Sequence, residues 1–217
     1  MKTLKNHTIL VITGKAGAGK DTLADMVREY VYGTKPENGL RPFRFSDPLK
    51  DAFCSIFGWN RARIDSLEYK QERLADPFFT QWDEPLWTRR EIMQYLGTDV
   101  FRKGQDDVWI KAALNKAESA AVYADGFIST DCRFTNELAY LYENFGCVYT
   151  VNLVKRGGVQ LDSGAAAHAS EQGPYDGFYA NTSVAFEAGD LLGLRRFAGS
   201  IVCAAFPHLC EETPDVQ

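Results

Sequence analysis

The sequence predicts an α/β fold, a parallel sheet with helices on both faces, and three observations predict it. First, the β-branched run Thr8-Ile9-Leu10-Val11-Ile12-Thr13 passes into the glycine-rich stretch Gly14-Lys15-Ala16-Gly17-Ala18-Gly19-Lys20-Asp21-Thr22 and then into the amphipathic Leu23-Ala24-Asp25-Met26-Val27. Second, short apolar runs alternate with segments of 3.6-residue period along most of the chain, the pattern of strands joined by crossover helices. Third, polar residues capable of chemistry fall at the ends of predicted strands, where ligands of such sheets bind.

The glycine-rich stretch fits G-x-x-x-x-G-K, the P-loop of nucleotide-binding folds, in the required strand–loop–helix context. Glycines let successive backbone N–H groups turn toward an anion, and the helix N-terminus adds its partial positive charge. Lys20 is placed to reach the β- and γ-phosphates as a mobile point charge. Gly14, Lys15, Ala16, Gly17, Ala18, Gly19, Lys20, Asp21 and Thr22 are therefore the candidate site for the phosphates of ATP. The general motif has Ser or Thr after the lysine to hold Mg²⁺; here Asp21 stands there and Thr22 follows. A carboxylate serves a hard cation directly or through water. Asp also caps helices well, and the two roles are compatible.

The remaining elements follow in order. The first helix is predicted over Asp21–Tyr32, then a polar turn over Gly33–Gly39 and a short strand over Arg41–Phe45. Ser46-Asp47-Pro48 reads as a cap with proline in the first turn, opening a helix with Leu49, Ala52, Phe53, Ile56 and Phe57 on one face and Gly58 at its end. Residues 59–87 are rich in charge and aromatics and broken by Pro77 and Pro85; they read as an insertion of short helices. Thr88-Arg89-Arg90-Glu91 is a capping box opening a helix to Leu96. A helix over Asp107–Tyr123, a buried strand over Gly126–Thr130, a helix over Thr135–Asn144 and a strand over Cys147–Val154 come next. Residues 155–176 read as a loop, followed by a weak strand over Thr182–Phe186, a last helix over Asp190–Phe206 and a frayed tail from Glu211. The whole, 1–217, reads as one domain, with 59–87 and 155–176 as candidate lids that keep water from the site.

Composition bounds the partners. With 29 acidic against 24 basic residues the net charge is −5, which argues against a broad nucleic-acid groove while leaving room for a local basic cluster. The five cysteines, Cys54, Cys132, Cys147, Cys203 and Cys210, are scattered without C-x-x-C and read as reduced thiols of a cytoplasmic protein. No stretch reaches the length of a membrane span, and Ile9–Ile12 is too short for a signal-peptide core.

Asp131 ends the buried run Phe127-Ile128-Ser129-Thr130 and is the candidate second Mg²⁺ anchor, an N-cap of the next helix being its plainer role. Cys132 follows it where water-activating ATPases often carry glutamate, which favours transfer to a bound acceptor. Arginine clamps transferring phosphoryl groups through bidentate hydrogen bonds. Lys50, Arg89, Arg90, Arg133 and Arg156 lie next to element starts or ends and are the favoured basic residues, although Arg89 and Arg90 cannot face the same way on one helix. Aromatics of 59–87, Tyr69 among them, are able to stack on a base, with core packing the safer role.

Taken together, Gly-Lys-Asp-Thr at 19–22, Phe45-Ser46-Asp47-Pro48-Leu49-Lys50, Arg89-Arg90-Glu91-Ile92-Met93-Gln94-Tyr95-Leu96-Gly97-Thr98-Asp99, Trp109, Thr130-Asp131-Cys132-Arg133-Phe134-Thr135-Asn136-Glu137 and His168-Ala169-Ser170-Glu171 resemble the bacteriophage-type deoxynucleoside monophosphate kinases. The resemblance covers about residues 8–195. It implies transfer of the γ-phosphoryl group of ATP to a deoxynucleoside monophosphate with Mg²⁺ held at Asp21 and Asp131, in the cytoplasm (the host's, for a phage-encoded enzyme). It further implies Gly14–Thr22 around the phosphates of ATP and Lys50, Arg89 and Arg133 near the acceptor and the transferring group. Beside these, Lys20, Asp131 and Arg133 are the candidate catalytic residues, Arg156 a candidate for ATP, and Ser46, Asp47, Lys50, Tyr69, Arg89, Arg90, Gln94 and Glu171 candidates for the acceptor, the role of Glu171 staying open. Animal-type phosphomevalonate kinases share a similar loop, a Pro-Leu-Lys segment, Asp-x-Arg and Ser-Glu, and are the runner-up; a P-loop ATPase or switch acting on a protein is the third reading. The accepted base and the oligomeric state stay open, a homodimer being common among such small enzymes.

Overall fold

The apolar run after His7 becomes strand β1 (Thr8–Thr13), and five of its six residues are buried. A strand so evenly apolar must be covered on both faces. The structure, a computed structural model, describes residues 4–15, 17–33, 39–74, 87–156 and 180–210. They form two compact units, one of residues 1–44 with 114–217 and one of residues 45–113.

In the first unit β1 is the middle of a five-stranded parallel sheet with β2 (Gly39–Pro42), β3 (Ala124–Ser129), β4 (Cys147–Arg156) and β5 (Thr182–Glu187), in the order β2-β3-β1-β4-β5. Alternation along the strands assigns the faces. Leu10, Ile12, Leu40, Ile128, Val151 and Leu153 pack against helices α1 (Lys20–Tyr32) and α7 (Leu191–Ala205), through Leu23, Val27, Ala198, Ile201 and Val202. On the opposite face Phe127 meets Phe145 edge-on, next to helix α6 (Thr135–Asn144), whose Leu141 is fully buried. Helices thus cover both faces. A short helix α8 (Pro207–Cys210) follows α7. No helix among the described residues is long and apolar enough to cross a membrane.

The second unit is helical: α2 (Asp47–Phe57), α3 (Leu67–Gln71) and α4 (Arg89–Gln94), around Phe53, Trp59, Ile64, Tyr69, Ile92 and Met93. The capping box is present: Thr88 Oγ1 accepts from Glu91 N at 3.2 Å and Glu91 Oε2 accepts from Thr88 N at 2.7 Å. The helix does not stop at Leu96. It widens into a π-helical stretch, Tyr95–Arg102, in which the Gly97 carbonyl accepts from Trp109 Nε1 at 2.9 Å. A Cβ at Gly97 would meet the end of the Leu49 side chain of α2, which lies close against it. The chain returns to the first unit within α5 (Val108–Ala120).

Boundaries elsewhere moved by a few residues. The second strand lies over Gly39–Pro42 rather than Arg41–Phe45, and β4 runs to Arg156, so Lys155 and Arg156 belong to a strand instead of a loop. The cysteine reading needs a larger correction. Cys203 and Cys210 are joined by a disulfide across the turn from α7 to α8, their Cα atoms 5.1 Å apart. A separation of seven residues resembles no metal or redox motif, but the turn brings the pair within bonding range. Cys54, Cys132 and Cys147 are free thiols. The expected turn over 33–39, the insertion, the loop over 155–176 and the tail fall wholly or partly outside the described residues.

Candidate functional site

The loop between β1 and α1 is shaped by close contact with β4. Gly14 has φ 142°, and a Cβ on it would overlap the Leu153 carbonyl, so both conformation and space exclude a side chain. Gly19, at φ 91°, turns the chain into α1 as its N-cap, without a side-chain capping bond. Ala18 N donates to the Lys15 carbonyl at 3.1 Å, closing the turn between them. Lys20 Nζ donates to the carbonyls of Gly14 at 2.8 Å and Lys15 at 3.0 Å, which holds the ammonium at the mouth of the loop. Asp21 and Thr22 are exposed in the first turn of α1. Ala16 lies outside the described residues.

Parallel pairing of β1 with β3, Val11 beside Ser129, brings the end of β3 next to this loop. Thr130 Oγ1 donates to Asp21 Oδ1 at 2.6 Å, across 109 residues of sequence. Asp131 Oδ1 accepts from the hydroxyl of Ser129, a fully buried residue, at 3.4 Å. Neither aspartate is a helix cap. Gly19 caps α1, and the start of α6 is closed by Glu137, 3% exposed, whose Oε2 accepts from Arg133 N at 2.7 Å and Phe134 N at 3.1 Å. Glu137 thereby fixes the backbone that carries Arg133. Burial, with the charges of Glu137 and Asp131 added, pushes the Cys132 thiol well above its ordinary value, so it stays protonated and inert. Arg156 ends β4 and is exposed.

This part of the first unit fits a polyphosphate and a hard cation. The fit rests on a loop turned by glycines at φ 142°, 73° and 91°, an ammonium that donates to the Gly14 and Lys15 carbonyls at its mouth, and two carboxylates at neighbouring element ends. Among the described residues no cluster of three or more His, Cys, Asp or Glu forms a self-sufficient metal cage. A cation here would need oxygens from its ligand or from water, as Mg²⁺ at phosphates does.

The second unit gathers most of the other predicted residues. Lys50, 8% exposed, donates to Asp65 Oδ1 at 2.7 Å and lies 3.8 Å from Asp47. Arg61 pairs with Asp47 at 3.0 Å, with Asp65 at 3.2 Å and with Asp51. Burial alone would raise the Asp65 carboxyl, but the Lys50 hydrogen bond and charge, helped by Lys70 and Arg61, outweigh it and hold Asp65 below its ordinary value. For Arg61, burial opposes the charge while Asp51 and Asp47 more than compensate, so its proton is held more tightly than usual. Arg89 stacks over the Tyr69 ring at 3.7 Å and donates through Nη1 to Glu72 at 2.6 Å and to the Tyr69 carbonyl at 3.0 Å. Arg63 approaches the same ring at 4.7 Å, and the Tyr69 hydroxyl accepts from Asn60 N at 3.0 Å. Tyr69 is thus packed between cations and 7% exposed. Ser46 stands at the N-cap of α2 with proline in the first turn, as Ser46-Asp47-Pro48 predicts, but without a side-chain capping bond. Arg90 and Gln94 sit half-buried on α4, and Gln94 Nε2 has no hydrogen-bond partner in the described structure. Glu171 lies outside the described residues.

Sequence reasoning assigned no role to Thr130 and Glu137, although both lie in the Thr130–Glu137 motif, and did not single out Asp65 or Glu72. Thr130 acts through a partner 109 residues away, and Asp65 and Glu72 lie in a charged stretch; the partners of Glu137 are local, and the Asn136-Glu137 step ahead of an apolar run hinted at a helix start.

No family model matches the chain, and no curated protein matches it in sequence. Among solved structures it is similar to TT1252 from Thermus thermophilus, at 15% identity and TM-score 0.50 over 92% of this chain and 98% of that one. It is also similar to a sugar kinase from Janibacter sp. HTCC2649 (13% identity, TM-score 0.45, 94% and 98% covered) and a gluconokinase from Sinorhizobium meliloti 1021 (13%, 0.41, 97% and 99%). At such identities the likeness to TT1252 speaks to the fold alone, and the two with TM-scores below one half carry no argument.

Proposed function

We propose that this chain is an ATP-dependent kinase that phosphorylates a small phosphate monoester, a deoxynucleoside 5′-monophosphate, to the diphosphate with Mg²⁺. The observation that carries the reading is the Lys20 ammonium poised on the Gly14 and Lys15 carbonyls beside a glycine cradle, with Asp21 tied to the end of β3. The deoxynucleotide acceptor rests on the sequence resemblance.

In this reading the loop amides hold the β- and γ-phosphates, and Lys20 exchanges its two carbonyl partners for phosphate oxygens. Arg133, on backbone held by Glu137, orients the transferring group. Bound Mg²⁺ would supply charge neutralisation on the phosphate oxygens, with Asp21 and Asp131 as its protein ligands. The acceptor is already anionic near neutral pH, so alignment and charge neutralisation dominate over general-base help. Within the second unit Asp65 and Glu72, both exposed, hold Lys50 and Arg89. An acceptor phosphate can take the place of such carboxylates, since both present paired oxygens to the same donors.

The test is a coupled assay of ADP formation with a panel of deoxynucleoside and nucleoside monophosphates, phosphomevalonate and no acceptor. The reading expects ADP only with a deoxynucleoside monophosphate. Turnover with phosphomevalonate alone would move the chain to that chemistry, and equal turnover without acceptor would make it an ATPase or switch.

A further inference from the structure

The loop departs from the general P-loop at one position, and the departure has a structural counterpart elsewhere in the first unit. A hydroxyl in the place of Asp21 would be a neutral, single-oxygen ligand. A carboxylate brings a full negative charge and two oxygens on a side chain with two rotatable bonds. Beside a polyphosphate, an unoriented carboxylate is repelled by the anion it should help to bind. Something must fix which oxygen faces the cation.

Thr130 does this. Its hydroxyl donates to Asp21 Oδ1 at 2.6 Å, a short contact of the charge-assisted kind. Among the described residues Asp21 Oδ2 makes no hydrogen bond, which leaves one oxygen of the carboxylate for another partner. Thr130 is also rigidly placed. It follows Ser129, fully buried and paired in register with Val11 of β1, and it precedes Asp131. One backbone step off the sheet therefore carries both the residue that orients the first carboxylate and the second carboxylate itself.

We propose that Thr130 is the positioning residue that aims Asp21 at the divalent cation, so that the work of the missing P-loop hydroxyl is divided between α1 and the end of β3. The inference rests on the ATP-binding reading above. Loss of such an outer partner of a metal ligand weakens metal affinity by about 10–100-fold. A threonine serving only to tie α1 to β3 would change stability and leave metal affinity alone.

The experiment measures Mn²⁺ affinity by electron paramagnetic resonance on the full chain with a saturating non-hydrolysable ATP analogue, and separately the analogue's affinity without metal. Thr130→Val keeps the shape of the side chain and removes the donor. Thr130→Ser keeps the donor, and Thr130→Ala is the second deletion should the valine variant misfold. The expected result is an Mn²⁺ affinity about tenfold or more weaker in Thr130→Val and Thr130→Ala, wild-type affinity in Thr130→Ser, and unchanged metal-free analogue binding in all three. Wild-type Mn²⁺ affinity in Thr130→Val, with Asp21→Asn impaired, would overturn the role of Thr130 and leave the kinase reading standing. Wild-type Mn²⁺ affinity in Asp21→Asn would overturn it as well, by removing Asp21 from the metal. Failure of the unmodified protein to bind the analogue at all would end the kinase reading, and this inference with it.

Discussion

Lys20 is a single ammonium whose described hydrogen bonds go to carbonyls of its own loop. In the proposed reading, replacing it with alanine removes a charge aimed at the developing negative charge of transfer. Lys20→Ala is expected to lower kcat by at least ~10²–10³-fold, as loss of a preorganised electrostatic group does, with a melting temperature within about 2 °C of the parent. Arg133→Ala should lower kcat by about 10²-fold; a change confined to the KM for ATP would mean that Arg133 binds ground and transition states alike. Gly14 makes the opposite case. At φ 142° and against the Leu153 carbonyl, Gly14→Ala is expected to lose about 2 kcal/mol or more of unfolding free energy in urea titration, because strained backbone and overlap add. Lys20, Gly14 and Asp21 were legible because the motif is contiguous in sequence. Thr130 was not, since its partner lies 109 residues away and a threonine after an apolar run ordinarily reads as a strand residue.

At the scale of elements, helix and strand periods marked nearly every segment, and α6 lies where its period placed it, over Thr135–Asn144. What stayed hidden was how charged segments pair. Asp65 sits in a stretch of alternating charge that reads as a solvated face, yet it is the hub for Lys50, Arg61 and Lys70. Its folded-state carboxyl lies below the ordinary 3.8, so the unfolded chain takes up the proton first as pH falls. The stabilisation is complete above that value and is lost as pH drops through the folded value. Asp65→Asn should therefore lower stability at neutral pH by about 1–2 kcal/mol, between an exposed and a buried pair. It should also flatten the acid limb of the urea midpoint below pH 3.8. An unchanged acid limb would show that the pair carries no linkage. The bond between Cys203 and Cys210 was hidden for a different reason: composition set a cytoplasmic expectation, while the turn after α7 sets the local geometry. Cys203→Ser is expected to cost about 2–3 kcal/mol, the entropy of closing so short a loop, and reductant should cost the parent the same while leaving the variant unchanged.

For the whole molecule, the parallel sheet and its glycine-rich loop were readable because they follow from local rules: strand before loop, helix after it, alternation along the chain. Strand order was not, because pairing β1 between β3 and β4 is a choice among long-range partners. Nor was the π-helical stretch after α4, in which the Gly97 carbonyl takes a hydrogen bond from Trp109 and which no period in the sequence marks. The same asymmetry runs through the site. The glycine-rich loop of the first unit is a local motif, whereas Lys50, Arg61 and Arg89 of the second unit are matched to carboxylates. The central claim is that the loop presents the γ-phosphoryl group of ATP to another phosphate and not to water. It is tested most directly by incubating the protein with γ-labelled ATP, Mg²⁺ and a mixture of deoxynucleoside monophosphates and following the label. The account predicts that the label appears in a deoxynucleoside diphosphate and nowhere else; label released as inorganic phosphate at the same rate with or without acceptor would contradict it.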